Sequence, residues 1–197
     1  MSDEQTLRVY GEKATEYAAL VDAESTDDPT LQAFIAAVPG GGHVLDLGCG
    51  PGAAAAQMAR AGLSVDAYDL VPEMVVMANR HEGVQAKVAS FDDVSGIAVY
   101  DGIWANFSLL HAPRDALPKH LARIAQVLKP GGIFHIAVKT GSGSHRDGLG
   151  RLYTYYSEQE LTGLLQEAGM IVIGRHTGEG KGLAGDVSAW TALLAHA

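Results

Sequence analysis

An apolar run that ends on an acid and breaks at once into three glycines constrains this chain more than any other segment. Val44-Leu45-Asp46-Leu47 has strand-type side chains, and Gly48-Cys49-Gly50-Pro51-Gly52 leads into small residues and Met58 that read as a helix. Such a turn lets a ligand approach the backbone, because glycine has no side chain to hold it away and tolerates unusual dihedrals. The acid narrows the choice of ligand. A pyrophosphate on the helix N-terminus would face the Asp46 carboxylate, and like charges repel. A ligand carrying an ammonium and a sulfonium would be attracted instead.

Short apolar runs alternate with helical patterns over most of the chain. His43–Leu47, Ser64–Tyr68, Gln85–Ala89, Tyr100–Ala105, Ile133–Val138, Met170–Arg175 and Val187–Leu194 read as strands. Ala53–Ala61, Pro72–Asn79, Asp115–Leu128 and Glu158–Ala168 read as helices between them. Leu117, Leu121, Ile124 and Leu128 form one stripe, stopped by Lys129-Pro130-Gly131-Gly132. Ser157-Glu158-Gln159-Glu160 has the pattern of a capping box, and Gly169 is placed to end that helix. Tyr10, Ala14, Tyr17 and Val21 predict one face of an N-terminal helix. Asp27-Asp28-Pro29 predicts the start of a second, closed by Pro39-Gly40-Gly41-Gly42. This order predicts an α/β fold with a mostly parallel sheet covered on both faces. No helix separates the last two strands, so at least one of them is expected to pair antiparallel. One domain over 1–197 is expected, with 1–40 as a helical cap.

Composition excludes several classes of partner. Net charge is −9, and no run of Lys or Arg offsets it, so duplex nucleic acid is not an expected partner. No apolar stretch reaches the roughly 18–20 residues that span a bilayer. Met-Ser-Asp-Glu-Gln lacks the basic and apolar regions of a secretory leader. The single cysteine, Cys49, excludes an internal disulfide. A cytoplasmic protein is expected. His43, His81 and His135 show no metal-ligand spacing, so no metal is expected.

A second acid supports the first. Asp69 ends the next strand, 21 positions after Gly48, where a carboxylate can accept bonds from both ribose hydroxyls. That spacing does not choose the cofactor, because Gly48-Cys49-Gly50-Pro51-Gly52-Ala53 also fits a dinucleotide pattern.

Val44–Gly52 resembles the first motif of the class I S-adenosylmethionine-dependent methyltransferases, and Asp69 matches their ribose-binding acid. Tyr100–Asn106 with Ser108-Leu109-Leu110-His111 resembles their fourth strand and the loop after it, in the branch acting on small molecules. Leu128–Ile133 resembles a later turn and strand. The resemblance runs from about Tyr10 to the C-terminus. It implies a Rossmann-like sheet of seven strands, with the last inserted antiparallel.

The resemblance also implies roles. Gly48, Cys49, Gly50 and Gly52 would wrap the methionine portion and sugar, with Asp46 near the amino group. Asp69 would hold the ribose, and Leu70 and Val71 would pack on the adenine. Ser90 and Phe91 stand where the family usually has an acid facing the adenine amino group. Ser90 departs from that pattern, and the contact would pass to the Phe91 backbone or to Asp92. Asn106 would line the methionine end. Tyr17, on the N-terminal helix, would close over the cofactor. Tyr10, His111, Arg114 and Tyr153 are candidates on the acceptor side, with His111 the candidate base. Each has a plain structural alternative: core packing for the tyrosines, packing before Pro113 for His111, a solvated helix start for Arg114. The glycine-rich stretch Thr140–Leu152 is a candidate lid or a surface loop.

The implied reaction is attack of an acceptor lone pair on the sulfonium methyl, with S-adenosylhomocysteine leaving. Alignment alone contributes about 7–11 kcal/mol to such a step, so a base is optional. Two rivals stand beside it: a non-catalytic S-adenosylmethionine-binding protein and an NAD-binding oxidoreductase. Oligomeric state and the acceptor are not legible in the sequence.

Overall fold

The computed structural model describes residues 3–24 and 28–197, so Asp27 of the predicted Asp27-Asp28-Pro29 start lies outside the described residues. At its centre β1 (His43–Leu47) runs parallel to β2 (Ser64–Asp69) on one side and β4 (Tyr100–Asn106) on the other. Beyond β2 lies β3 (Val84–Val88), and beyond β4 lies β5 (Leu128–Lys139), both parallel. The last strand, β9 (Val187–His196), inserts antiparallel between β5 and the edge strand β8 (Ile171–Lys181). The order β3-β2-β1-β4-β5-β9-β8 has the seven strands and the inverted last strand that were expected. Chain direction across the sheet reverses between β1 and β4. In an open α/β sheet that crevice, outside the strand C-termini, is where ligands bind.

Strand periodicity decides which face each residue serves. Leu45, Leu47, Ile103, Ala105, Phe134 and Ile136 pack with Leu121 and Ile124 of α6 (Leu117–Val127) and Leu161 and Leu165 of α7 (Glu158–Glu167). The alternate residues Val44, Val65, Trp104 and Ile133 pack on the other face. Their partners are Leu31 and Phe34 of α3 (Pro29–Ala37), Ala55 and Met58 of α4 (Ala53–Arg60) and Ala78 of α5 (Pro72–Ala78). Asp46 has the parity of Val44, so the pleat turns its carboxyl toward α4.

Four details differ from the sequence reading. The N-terminal stripe is two helices, α1 (Glu4–Glu12) and α2 (Ala14–Glu24), because Lys13 leaves helical dihedrals (φ −109°, ψ 19°). Leu128 starts β5 instead of closing α6, and the Lys129–Gly132 turn is absorbed as an irregular start to that strand. Ser157 caps α7 by accepting the Glu160 amide at 3.1 Å, but the Glu160 carboxylate pairs with Arg114, so the box is half formed. The glycine-rich stretch holds an exposed strand, β6 (Ser144–Arg146), paired with β7 (Leu152–Thr154). Among the described residues no helix is long and apolar enough to cross a membrane.

Candidate active site

The glycine loop is clamped from below. The amides of Gly48 and Cys49 both donate to the Tyr68 carbonyl, at 2.8 and 2.9 Å. Asp69 binds two loops at once: its Oδ2 accepts the Gly50 amide and its Oδ1 the Val71 amide, each at 2.9 Å. Burial raises the Asp69 pKa, while these amide donors pull it back down.

The three glycines do different work. A Cβ at Gly48 (φ +80°) would lie 2.3 Å from Ser108 Cβ, and one at Gly52 (φ +89°) 2.8 Å from the Ala78 backbone. These two are required by packing. Ser108 is held there by donating to the Leu47 carbonyl at 2.5 Å. At Gly50 (φ +53°) a Cβ would meet only Tyr17, at 3.4 Å, on the cavity side of the loop.

Asp46 is the electrostatic anomaly of the site. It is 2% exposed, its Oδ2 has no hydrogen-bond partner, and it takes a backbone bond from Ala55. Burial, reinforced by the charge of Asp69, pushes its pKa up to about 8. A buried carboxyl with an unpaired oxygen calls for a positive or donating group beside it.

Two recesses meet at the loop. One is lined by Asp69, Leu70, Val71, Met74, Ser90 and Phe91. The other is a broader groove that reaches Asp46, Cys49, Trp104 and Ala137. Gly48, Gly50, Asn106 and Tyr17 line both, so one elongated ligand can reach both acids. Asn106 is fixed by its Oδ1, which accepts from His135 Nε2 at 3.1 Å. The His135 ring stacks on Trp104, with centroids 3.6 Å apart, and burial pushes its pKa down to about 3. The thiol of Cys49 is buried, and burial raises its pKa far above the ordinary range. The Ser90 hydroxyl donates to Asp93 at 2.7 Å and accepts the Asp92 amide at 3.2 Å, capping the turn over Phe91–Asp93. The Asp92 carboxylate lies 3.6 Å from Lys119.

On the acceptor side, a third cavity adjoins the first two through Tyr17 and Phe107, which line all three. Tyr10 and Tyr153 line it; His111 lies against both. Tyr10 Oη is 3.0 Å from His111 Nε2, and Nδ1 is 2.7 Å from the Leu152 carbonyl. A carbonyl only accepts, so Nδ1 carries the proton and Nε2 accepts from Tyr10. Burial pushes His111 down to about 4, so it is neutral near pH 7. Arg114 is not brought to the cavity. Its guanidinium binds Glu160 and the Tyr155 carbonyl and covers the Tyr156 ring at 4.6 Å.

The hairpin of β6 and β7 is fastened to α1. Arg146 forks onto Asp3 at 2.7 and 3.0 Å, and the Leu152 amide donates to Thr6 Oγ1 at 2.8 Å. Sequence reasoning missed Phe107, Lys139 and Trp190 as cavity residues. Phe107 has φ +53°, a strained value for a bulky residue, held by its amide bond to the Ala137 carbonyl at 3.0 Å.

Comparison with known proteins agrees with this geometry. The family described as "Methyltransferase domain" matches residues 44–132. The ubiquinone biosynthesis O-methyltransferase of Xanthomonas axonopodis pv. citri is 39% identical over 102 residues, 48% of this chain and 41% of that protein. The chain thus matches less than half the length of that relative. The Burkholderia thailandensis 1,6-didemethyltoxoflavin-N1-methyltransferase, solved with 1,6-didemethyltoxoflavin and S-adenosylhomocysteine, is 28% identical. It superposes with a TM-score of 0.72 over 96% of this chain and 87% of that one. A Methanosarcina mazei methyltransferase structure, 19% identical, shares the fold with a TM-score of 0.74 over 86% of this chain and 97% of that one. Residues 44–132 thus match the methyltransferase-domain family, and the sheet topology is the Rossmann-like one of these methyltransferase structures.

Proposed function

We propose that this protein transfers a methyl group from S-adenosylmethionine to a small-molecule acceptor. The observation that carries the reading is Asp46: a buried carboxyl whose Oδ2 has no partner, beside a glycine loop open at Gly50. A cofactor with an α-ammonium answers that unmet acceptor, and a diphosphate does not. When bound, S-adenosylmethionine supplies a methyl group already activated by its sulfonium.

The residues divide the work. Asp69 accepts from the ribose hydroxyls while holding Gly50 and Val71. Leu70 and Val71, with Met74, give the adenine an apolar seat, and Phe91 with Ser90 closes its edge. Asp46 meets the ammonium; Gly48, Cys49, Gly50 and Gly52 shape the loop around it, with Asn106 beside the methionine end. Tyr17 separates cofactor from acceptor. The segment 1–40 caps the site within a single unit spanning 1–197.

Tyr10 and Tyr153 form the acceptor wall, and the neutral His111, which lines the adjoining recess, packs against both. With both imidazole nitrogens engaged, His111 serves as a positioning residue, and catalysis rests on alignment and exclusion of water. Arg114 supports the wall from behind, through Tyr155 and Tyr156.

Labelled methyl transfer from S-adenosylmethionine into fractionated cell extract, with the product identified by mass, tests the proposal. Incorporation into a low-mass product supports it. Tight cofactor binding with no transfer to any fraction favours a non-catalytic binding protein instead.

A further inference from the structure

The third cavity carries a charge that the reading so far does not use. Lys139 is the last residue of β5, and its Nζ sits 4.2 Å above the centre of the Tyr153 ring. It lines the cavity together with Tyr10, Tyr17, Phe107, Tyr153 and Trp190. Among the described residues its side chain makes no ion pair and no hydrogen bond.

Of the other two cations there, Lys181 is exposed to solvent and Arg151 is already neutralised. Arg151 donates from Nε and Nη2 to Asp147 Oδ2 at 2.9 and 2.6 Å, and its side chain is 2% exposed. Asp186 is the remaining acid within electrostatic reach of Lys139. It is exposed at the β8–β9 turn, outside the cavity wall, and makes no ion pair with Lys139. Burial, followed by the Arg151 charge, lowers the Lys139 pKa, as expected for an ammonium short of a counter-ion.

Resting on the methyl-transfer reading above, we infer that the acceptor is a planar aromatic molecule bearing an anionic oxygen, and that Lys139 Nζ is the cation that pairs with it. Five aromatic side chains supply flat apolar walls; of the two wall ammonium groups without an ion pair among the described residues, Lys181 is exposed to solvent and Lys139 is the half-buried one, seated on an aromatic ring. The buried Tyr153 ring, itself part of the cavity wall, seats that ammonium. The methionine carboxylate of the cofactor is a less suitable partner, because the glycines of the loop line the other two recesses and not this one.

The anionic oxygen has two chemical sources, a carboxylate or an acidic ring hydroxyl, and equilibrium binding with S-adenosylhomocysteine present separates them. The probes are 4-hydroxybenzoate, 4-nitrophenol and phenol at pH 8, with intrinsic tryptophan fluorescence and the 4-nitrophenolate absorbance as readouts. The expected result is at least tenfold tighter binding of one or both anionic probes than of phenol. Lys139→Met should bring that preference below twofold, Lys139→Arg should keep most of it, and cofactor affinity should be unchanged in both. Equal binding of all three probes, binding of none, or a preference that survives in Lys139→Met overturns the inference. A Lys139→Met variant that loses cofactor affinity and keeps the anion preference also overturns it and assigns Lys139 to the cofactor carboxylate. If S-adenosylhomocysteine itself does not bind the wild type, the methyl-transfer reading fails first, and the inference falls with it.

Discussion

The carboxylate of Asp69 accepts the amide of Gly50 at 2.9 Å, tying the end of β2 to the middle of the glycine loop. Its second oxygen accepts the Val71 amide at the same distance, so one side chain sets both the loop and the start of the adenine wall. Asp69→Ala is therefore expected to do two things. It removes the ribose acceptor, and it frees two backbone amides. Hydrogen bonds to charged groups contribute about 1.5–3 kcal/mol, so S-adenosylmethionine affinity should fall at least tenfold in a calorimetric titration. Unchanged affinity would mean the ribose lies elsewhere.

Asp46 sets a trade between stability and binding. Its folded pKa, about 8, lies above the ordinary value of 3.8. The native protein thus binds more protons than the unfolded chain between about pH 4 and 8, and stability falls as pH rises through that window. Asp46→Asn removes the titration. It should raise the melting temperature of the ligand-free protein at pH 8, by about 2–4 °C per kcal/mol recovered, while weakening cofactor binding. Proton release on cofactor binding at pH 7 is expected in the wild type and absent in Asp46→Asn, measured from the buffer dependence of the heat.

Gly48→Ala and Gly50→Ala should fail in different ways. At Gly48 the new methyl would sit 2.3 Å from Ser108 Cβ, so the folded yield should drop sharply. At Gly50 only the Tyr17 ring edge is near, at 3.4 Å. The positive φ costs about 1–2 kcal/mol, and the methyl intrudes on the cavity side of the loop. That variant should fold and lose cofactor affinity. Circular dichroism with a titration separates the outcomes, and equal loss of folding in both would contradict the division of roles.

Tyr10 and His111 join α1 to the loop after β4 through a 3.0 Å hydrogen bond. His111 titrates near 4, so its charge does not change between pH 6 and 8. Tyr10→Phe should lower stability by about 0.5–1.5 kcal/mol and raise the acceptor KM, with kcat nearly unchanged. A hundredfold fall in kcat at unchanged KM would instead make the pair a proton relay.

Much of this could be read from the chain, because the readable parts are local. β1 matches its predicted bounds, and β2, β3 and β4 lie within about one residue of theirs, since apolar alternation and flanking glycines mark them. Asp46 and Asp69 were legible because one stands next to the end of its strand and the other ends its own. The break at Lys13 was not legible, since Tyr10 and Tyr17 still meet, with centroids 5.2 Å apart, across it. Arg114 was read by its position near the site, but tertiary packing turns it onto Glu160 and Tyr156. Phe107, Lys139, Arg151 and Trp190 come from four separate segments that only the folded topology brings to one cavity.

The most direct measurement is a pair of calorimetric titrations of the wild-type protein, one with S-adenosylmethionine and one with NAD. Saturable heat with S-adenosylmethionine and none with NAD is the expected result. Heat with NAD alone would mean that Asp46 tolerates a diphosphate beside it, contrary to the reading of that carboxyl as the partner of a cation.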